Sequence, residues 1–401
     1  KPNDEIITTD NSAKLRFSTD TIQFDTLLTT IGSVSKKVKI YNDSKNAVII
    51  SKIELENGEN SVFELIINGK ISQKVNDIQL LGKDSLLVIV KANLGDNNEN
   101  GPYVLRDALI FKVNSNIQNV KLEAWGRDAH FIKNGELICN TTWINDKAYV
   151  ISDSIIIPQD CELVIEKGCH ILFKYNAKLI VKGSLKIIGD KNDFVRFFND
   201  NDLSEVKEEA LGYWRGIIFT ETSKNNTLEY THIENAFNGV YCEENTIDSI
   251  ADITLKNVQI SNMLNTAITS KGNDIIAQNC LLSNSVANLL KVEKSGNYHF
   301  THCTFAHLGS GNKKEAISLV GDGKLTCINS IVWGNKKEEF TTDNFQLYLN
   351  KNLLKTQQNI ENNILNTNPL FVNQIILNYE LDSLSKAINE GIQTSILDDL
   401  N

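Results

Sequence analysis

The chain has 401 residues, of which 41% are hydrophobic and 22% charged, a composition typical of folded proteins and sufficient for two cores. Its formal net charge of −10 excludes a general nucleic-acid-binding role, because no basic surface is available to neutralise phosphates. No apolar run reaches the roughly 18 residues that a membrane-spanning helix requires.

The first segment, residues 1–14, is polar and unpatterned, and it predicts a tether. The chain starts at Lys1 without an initiator methionine, so we expect that an upstream signal sequence or lipid anchor has been removed. Contact with a membrane is therefore expected only through a lipid anchor upstream of Lys1.

Residues 15–127 predict an immunoglobulin-like antiparallel β-sandwich. Short alternating strands separated by turn residues lie at 22–24, 38–41, 48–53, 63–67, 85–91, 108–113 and 120–124. About seven strands over about 110 residues, with no helical period, are typical of a sandwich of this kind.

Residues 128–401 repeat instead of alternating, and they predict a parallel β-helix. Similar blocks begin at Thr231, Val258, Cys280, Cys303, Ser330 and Asn363. Intervals of 22 to 33 residues suit one coil of a solenoid whose loops vary in length. All-β is therefore the predicted fold class for the whole chain.

A column of turn residues precedes these blocks. It contains Tyr230 and the predicted ladder Asn257, Asn279, His302, Asn329 and Asn362. Coils stack roughly 4.8 Å apart, so we expect the asparagine amides to bond from one coil to the next.

The seven cysteines contain no CxxC pair, and neither a metal site nor a cofactor is predicted. We expect Cys280 and Cys303 to be reduced neighbours inside the solenoid. Buried thiols, with no obligatory disulfide framework, are the interpretation that the sequence favours.

Four segments carry a resemblance to a known family. Residues 163–173 (LVIEKGCHILF), 214–217 (WRGI), 228–236 (LEYTHIENA) and 366–371 (NTNPLF) resemble repeat blocks of the pectin-lyase-like right-handed parallel β-helix proteins. The resemblance covers 151–370. With the leading sandwich, whose segment 24–33 (FDTLLTTIGS) is also similar, the whole chain resembles surface lipoproteins of Gram-negative bacteria. This implies an exported protein located at the outer membrane or cell surface.

Enzymes of the resembled family cleave uronate-rich polysaccharides by calcium-assisted β-elimination or by hydrolysis with paired carboxylates. The best catalytic candidates here are Asp190, Asp193, Arg196, Asp200, Asp202 and Arg215. The alternative is a solvated loop beside a coil corner. Trp214, next to Arg215, and Trp333, on an outward face with Glu234, Ser261 and Ser283, are candidate ligand-binding residues.

An Asp followed by Ser or Thr and an apolar residue occurs six times. The hydroxyl residues are Thr21, Thr26, Ser85, Ser154, Ser249 and Ser383. One explanation is an aspartate turn that leads into a strand. The pattern also resembles an acceptor motif for periplasmic O-glycosylation, which would make the protein a glycoprotein.

Three functions remain open. The favoured one is a non-catalytic outer-membrane lipoprotein that serves as a binding or scaffold module, as a subunit of an outer-membrane complex, with surface proteins or cell-surface glycan as partners. The first alternative is a polysaccharide lyase or glycoside hydrolase acting on acidic glycans. The second is a structural or adhesive surface protein. Fold alone does not decide among them.

Overall fold

The computed structural model describes residues 6–11, 13–28, 35–93, 103–199, 211–244, 251–309, 314–374 and 378–394. The chain divides into two compact units that meet between Ala129 and His130. Within these ranges the regular structure is β-strand apart from one turn of 3₁₀ helix, Gly58–Asn60. None of the described residues belongs to a helix that could cross a membrane.

The first unit contains two five-stranded sheets. Their strands are β1 (Arg16–Phe17), β2 (Thr21–Leu28), β3 (Lys36–Tyr41), β4 (Val48–Leu55), β5 (Phe63–Ile67), β6 (Lys70–Ser72), β7 (Lys74–Leu80), β8 (Ser85–Ala92), β9 (Tyr103–Val113) and β10 (Asn116–Arg127). One sheet has the order β1-β3-β8-β5-β6 and the other β2-β10-β9-β4-β7.

Period-two alternation builds the core between these sheets. Phe63, Leu65 and Ile67 of β5 are buried in turn, while the residues between them are half-buried. Phe111 and Leu122 from the other sheet join the same hydrophobic cluster. The predicted all-β fold with antiparallel N-terminal sheets is thus confirmed.

Two details differ from the sequence-based expectation. The β2–β10 pair is parallel, whereas the other strand pairs that the structure describes in this unit are antiparallel. Strands β1, β6 and β7 were not predicted, and each lies at the edge of a sheet. An edge strand forms hydrogen bonds with one neighbouring strand only, so its sequence need not show a clear alternation of apolar and polar residues.

The second unit is a parallel β-helix of the right-handed type with about 9 turns, as predicted. Each coil contributes a strand to each of three faces. Face 1 is a nine-stranded sheet made of β12 (Gly135–Glu136), β15 (Ser154–Ile157), β18 (Lys178–Val181), β21 (Gly216–Phe219), β23 (Val240–Cys242), β25 (Ile268–Ser270), β28 (Leu290–Val292), β31 (Ile317–Leu319) and β34 (Phe340–Thr342).

Faces 2 and 3 form one continuous sheet that bends at a corner. Face 2 contains β13 (Thr141–Trp143), β16 (Glu162–Glu166), β19 (Ser184–Ile188), β26 (Ile275–Gln278), β29 (Gly296–Thr301), β32 (Gly323–Ile328) and β35 (Gln346–Asn350). Face 3 contains β11 (Ala129–Ile132), β14 (Ala148–Ile151), β17 (His170–Phe173), β20 (Val195–Asn199), β27 (Leu281–Ser285), β30 (Thr304–His307), β33 (Ile331–Gly334), β36 (Leu353–Leu354) and β37 (Ile364–Leu365). Strands β22 (Asn226–Glu234) and β24 (Ile253–Met263) span the corner and belong to both faces.

In-register stacking fills the interior of the solenoid. One inward column runs through Phe197, Ile233, Ile260, Leu282, Phe305, Val332, Leu354 and Leu365. All but Leu354 and Leu365 have essentially no exposed surface. The column contains the six predicted residues and two that were not predicted, Phe197 and Leu354. Leu354 was missed because the longest predicted interval contains an additional coil with β35 and β36.

The cysteine prediction was correct in one part and wrong in another. Cys280 and Cys303 are free and buried, and burial raises the pKa of the Cys303 thiol well above its ordinary value. Cys139 and Cys161, however, form a disulfide with a Cα–Cα distance of 4.9 Å. They precede β13 and β16, which pair in register, so stacking alone brings these two residues together.

A C-terminal segment, residues 371–394 apart from 375–377, leaves the solenoid and packs on the outside of face 3. It begins with an antiparallel hairpin, β38 (Phe371–Asn373) and β39 (Asn378–Leu381). Phe371 and Tyr379 form a hydrophobic cluster with outward residues of face 3, including Ile331 and Leu353. The outward surface of the later coils is therefore covered.

Candidate functional site

The corner between faces 2 and 3 holds the asparagine column. Its members are Tyr230, Asn257, Asn279, His302, Asn329, Lys351 and Asn362, with φ between 45° and 59°. Asparagine is one of the few residue types that adopt this left-handed conformation readily. The Asn279 amide donates to Asn257 Oδ1 at 2.7 Å, and the Asn329 amide lies 3.3 Å from His302 Nε2. The column is a structural device that turns the chain in each coil from Tyr230 onward.

The structure does not support a ligand-binding role for Trp214. Its ring is fully buried, stacks on Phe173 with a centroid distance of 4.0 Å, and donates its indole N–H to the Glu234 carbonyl at 2.8 Å. This burial agrees with the alternative interpretation of the segment, in which it lies at a coil corner. The residue fills the coil interior, because its backbone forms a parallel bridge to Ala236 of the next coil.

Trp333 does lie on the outward side of face 3, but it is not an open platform. It is partly buried, packs against the hydrophobic cluster of the C-terminal segment, and has Lys355 Nζ 4.6 Å from its ring centroid. The segment that covers it lies far along the chain, which is why the sequence pattern alone indicated exposure.

Two of the predicted catalytic aspartates, Asp190 and Asp193, lie together in a surface turn. Asp190 and Asp193 both pair with Lys167, at 2.7 and 3.8 Å, and hydrogen bonding to Lys167 lowers the pKa of Asp190. Asp190 Oδ1 also accepts the backbone N–H groups of Asn192 and Asp193, which closes a turn. These carboxylates form a solvated loop. Asp200 and Asp202 lie outside the described residues.

Arg196 lies apart from these aspartates, in a polar groove on face 3 that we call the face-3 groove. The groove has a volume of about 410 Å³ and crosses four successive coils. It is lined by Arg196, His232, Glu234, Gln259, Ser261, Leu281 and Ser283. Its floor is set by alternation, because the residues between these side chains point into the core.

Two outward columns form the groove. Arg196, His232 and Gln259 are directly paired neighbours, and Leu281 continues that column. Glu234 pairs with Ser261 in the second column. At one end of the groove, the Tyr379 hydroxyl donates a hydrogen bond to Asn284 Oδ1 at 3.2 Å. The C-terminal segment therefore borders the groove at this end.

The groove combines a weak ion pair with a neutral imidazole. Arg196 Nη2 lies 3.5 Å from Glu234 Oε2, and Glu234 Oε1 lies 4.0 Å from His232 Nδ1. Burial, and secondarily the charge of Arg196, lowers the pKa of His232 to about 4. Arg196 Nε and His232 Nε2 are buried and have no hydrogen-bond partner among the residues that the structure describes.

This arrangement suits binding better than the two candidate reactions. Glycoside hydrolysis requires two carboxyl groups, and Glu234 is the one carboxylate among the residues that line the groove. Elimination requires a base whose pKa lies near the operating pH, and a pKa of about 4 makes the His232 imidazole a weak proton acceptor.

Sequence reasoning identified Arg196 but did not connect it with His232 and Gln259. The signal was present, because the residues one position before and after an inward residue of a strand lie on the outer face. Using it required the register between coils separated by loops of different length, which the repeat intervals alone did not provide.

The Asp-Ser/Thr triplets lie mainly at the beginnings of strands. Thr21, Ser85 and Ser154 are the first residues of β2, β8 and β15. Asp84 and Asp153 each accept the backbone N–H of the following serine at 2.7 Å, and Asp382 accepts that of Leu384 at 2.9 Å. Ser85 and Ser383 are exposed. Ser249 and the side chain of Thr26 lie outside the described residues.

Comparisons with known proteins add no functional assignment. No family model matches, and no curated protein matches. Among solved structures, the PapD-like domain of human CEP192 is similar at 12% identity and a TM-score of 0.20, over 30% of this chain and 89% of that chain. A protein of unknown function from Porphyromonas gingivalis W83 is similar at 7% identity and a TM-score of 0.22, over 30% of this chain and 59% of that chain.

A third similar structure is the catalytic domain of a GH87 α-1,3-glucanase in complex with tetrasaccharides. The identity is 9% and the TM-score 0.19, over 82% of this chain and 60% of that chain. The match therefore spans less than two thirds of the glucanase domain. Similarities at this level carry no argument about function, which has to be drawn from the side chains of this protein.

Proposed function

We propose that this chain is a non-catalytic, glycan-binding module of an exported cell-surface protein, and that the face-3 groove holds the glycan. The observation that carries the proposal is the composition of that groove. It offers a guanidinium, a carboxylate, an amide and hydroxyl groups, together with the neutral imidazole of His232.

A saccharide matches this chemistry because its hydroxyl groups both donate and accept hydrogen bonds. Gln259 and Ser261 supply matching groups on one strand, and Arg196 and Glu234 supply charged ones on its neighbours. All of them project from paired strands, and side chains on such rigid elements are held more precisely than side chains on loops.

Export is supported by the disulfide between Cys139 and Cys161, since disulfides persist mainly in oxidising compartments. The resemblance to surface lipoproteins extends the proposal to a lipid anchor upstream of Lys1, location at the outer membrane, and participation in an outer-membrane complex. The long solenoid would then hold the groove away from the membrane.

One observation favours a second candidate, a lyase acting on acidic polysaccharides. Arg196 could neutralise a uronate carboxylate while the adjacent His232 imidazole, neutral at pH 7, accepts the α-proton. The low pKa of His232 makes this the weaker proposal.

One set of variants separates the two candidates. Calorimetric titration of neutral and acidic oligosaccharides is expected to give binding that Arg196→Gln weakens at least tenfold. Arg106→Gln, an exposed sandwich arginine paired with Glu123, serves as the matched control and is expected to change affinity less than twofold.

Activity is tested on the same proteins. With polygalacturonate, with and without calcium, we expect no formation of unsaturated uronates or reducing ends above the uncatalysed rate. Turnover that His232→Gln abolishes would replace the binding proposal with the lyase. Absence of binding to every saccharide tested, with no turnover, would reject both.

A further inference from the structure

A second exposed surface surrounds the buried Trp214. Tyr213 and Arg215 flank this residue, and in extended backbone neighbours on either side of an inward residue point outward. The N–H of Asn176 donates to the Tyr213 carbonyl at 2.9 Å, and the N–H of Phe237 donates to the Trp214 carbonyl at 2.7 Å. The segments around Asn176 in the preceding coil and Phe237 in the following coil therefore stack on either side of residues 213–215.

Side chains from these three coils contact one another in the turns between faces 3 and 1. The rings of Tyr175 and Tyr213 meet edge-on, with centroids 5.8 Å apart. The guanidinium carbon of Arg215 lies 5.4 Å from the centroid of Phe237. Tyr175 is 66% exposed. We call Tyr175, Tyr213, Arg215 and Phe237 the Tyr-Arg patch.

The charge of Arg215 is what distinguishes this patch. Arg16, Arg106 and Arg196 each pair with a carboxylate. Arg215 forms no ion pair with any residue that the structure describes. In a chain of net charge −10, an exposed guanidinium that has no carboxylate partner among the described residues and lies against the Phe237 ring is complementary to an anionic group that arrives from outside.

We propose that the Tyr-Arg patch is a second saccharide subsite, selective for sugars that carry a carboxylate. The inference rests on the proposed glycan-binding function and adds a site outside the face-3 groove. The planar guanidinium of Arg215 binds the carboxylate through two parallel N–H···O bonds. The tyrosine rings pack against the apolar C–H surface of the sugar.

A protein partner is the competing occupant, since tyrosine, phenylalanine and arginine are also enriched in protein interfaces. The saccharide is favoured because the patch presents few side chains. They follow the coil stack at roughly 4.8 Å intervals, a spacing comparable to the length of one sugar ring. An exposed tyrosine packed against a half-buried one in such a small area fits a single ring better than the broad surface of a protein.

The test uses two matched pairs of probes, 3′-sialyllactose with lactose and trigalacturonate with its methyl ester. We expect the protein to bind the carboxylate member of at least one pair at least tenfold more tightly than the neutral member. Arg215→Gln is expected to remove that preference, and Tyr175→Ala to weaken both members at least fivefold. The matched controls are Arg106→Gln and Tyr348→Ala, whose tyrosine is 53% exposed on β35.

The outcomes separate this inference from the proposed function. If Arg196→Gln abolishes saccharide binding but Arg215→Gln and Tyr175→Ala leave both affinity and preference unchanged, the patch proposal is overturned while the groove stands. If the patch variants spare saccharide binding but remove a stoichiometric protein partner from native membranes, the patch is a protein-docking site and the saccharide assignment is wrong. Melting temperatures within 2 °C of wild type, roughly 1–2 kcal/mol for a protein of this size, exclude misfolding of the variants.

Discussion

The buried imidazole of His232 makes the stability of the solenoid depend on pH, and the sign of the dependence follows from its surroundings. Burial and then the charge of Arg196 lower the pKa from 6.5 to about 4. The nearest carboxylate in an ion-pair geometry, Glu234 at 4.0 Å, is too distant to reverse this effect. Between these two pKa values the unfolded chain binds a proton that the folded chain excludes. Stability from the neutral imidazole is therefore complete above pH 6.5 and is lost as the pH falls toward 4.

The magnitude follows from the same two values. The difference of about 2.5 pKa units, 6.5 minus about 4, corresponds to about 3 kcal/mol at 1.36 kcal/mol per unit. The His232 side chain retains 23% exposure at the groove, so solvent screening reduces the effect. We therefore expect a loss of about 2 kcal/mol in the free energy of unfolding between pH 7 and pH 4.5.

The variant His232→Gln isolates this contribution, because acidic groups elsewhere titrate equally in both proteins. Urea unfolding followed by circular dichroism at pH 7 and pH 4.5 is expected to show a smaller loss on acidification in the variant, by about 2 kcal/mol. Direct titration of the imidazole by NMR provides the second measurement. A pKa near 6.5, or equal losses in the two proteins, would refute the assignment of His232 as a buried neutral group.

Three further predictions concern the solenoid and its modification. Asn279→Ala is expected to lower the free energy of unfolding by about 1–3 kcal/mol, because it removes the amide bond to Asn257 and strains a left-handed residue, whereas Asn279→Gly should lose only the hydrogen-bond part. Thiol counting in denaturant without reductant is expected to find five thiols, since Cys139 and Cys161 are joined; seven thiols would contradict the disulfide. Intact mass of protein from the native host is expected to exceed that of the bare polypeptide and any lipid by sugar attached at sites such as exposed Ser85, and an unmodified mass would leave the triplets as turn chemistry alone.

The repeating half of the fold was predictable because its rules are local. A left-handed corner every coil selects asparagine, as at Asn257 and Asn329, and alternation on both sides of the corner selects apolar residues that point inward. The sandwich strands were predictable for a similar reason, except for β1, β6 and β7 at the sheet edges. The coil around Lys351 was missed because lysine replaces asparagine at its corner.

The candidate sites depended on contacts that no local rule contains. The sequence indicated Arg196 and Arg215 as candidate functional residues. Only the register between coils placed Arg196 beside His232 and Arg215 beside Phe237. Tertiary packing also buried Trp214, and it brought a distant C-terminal segment over Trp333. The sequence by itself determined the repeat period, the corner positions and the interior columns, because the residues that specify them recur from coil to coil. The tertiary structure decided which outward side chains contact one another. Loops of unequal length separate the coils, so the register between coils is established only when the coils stack.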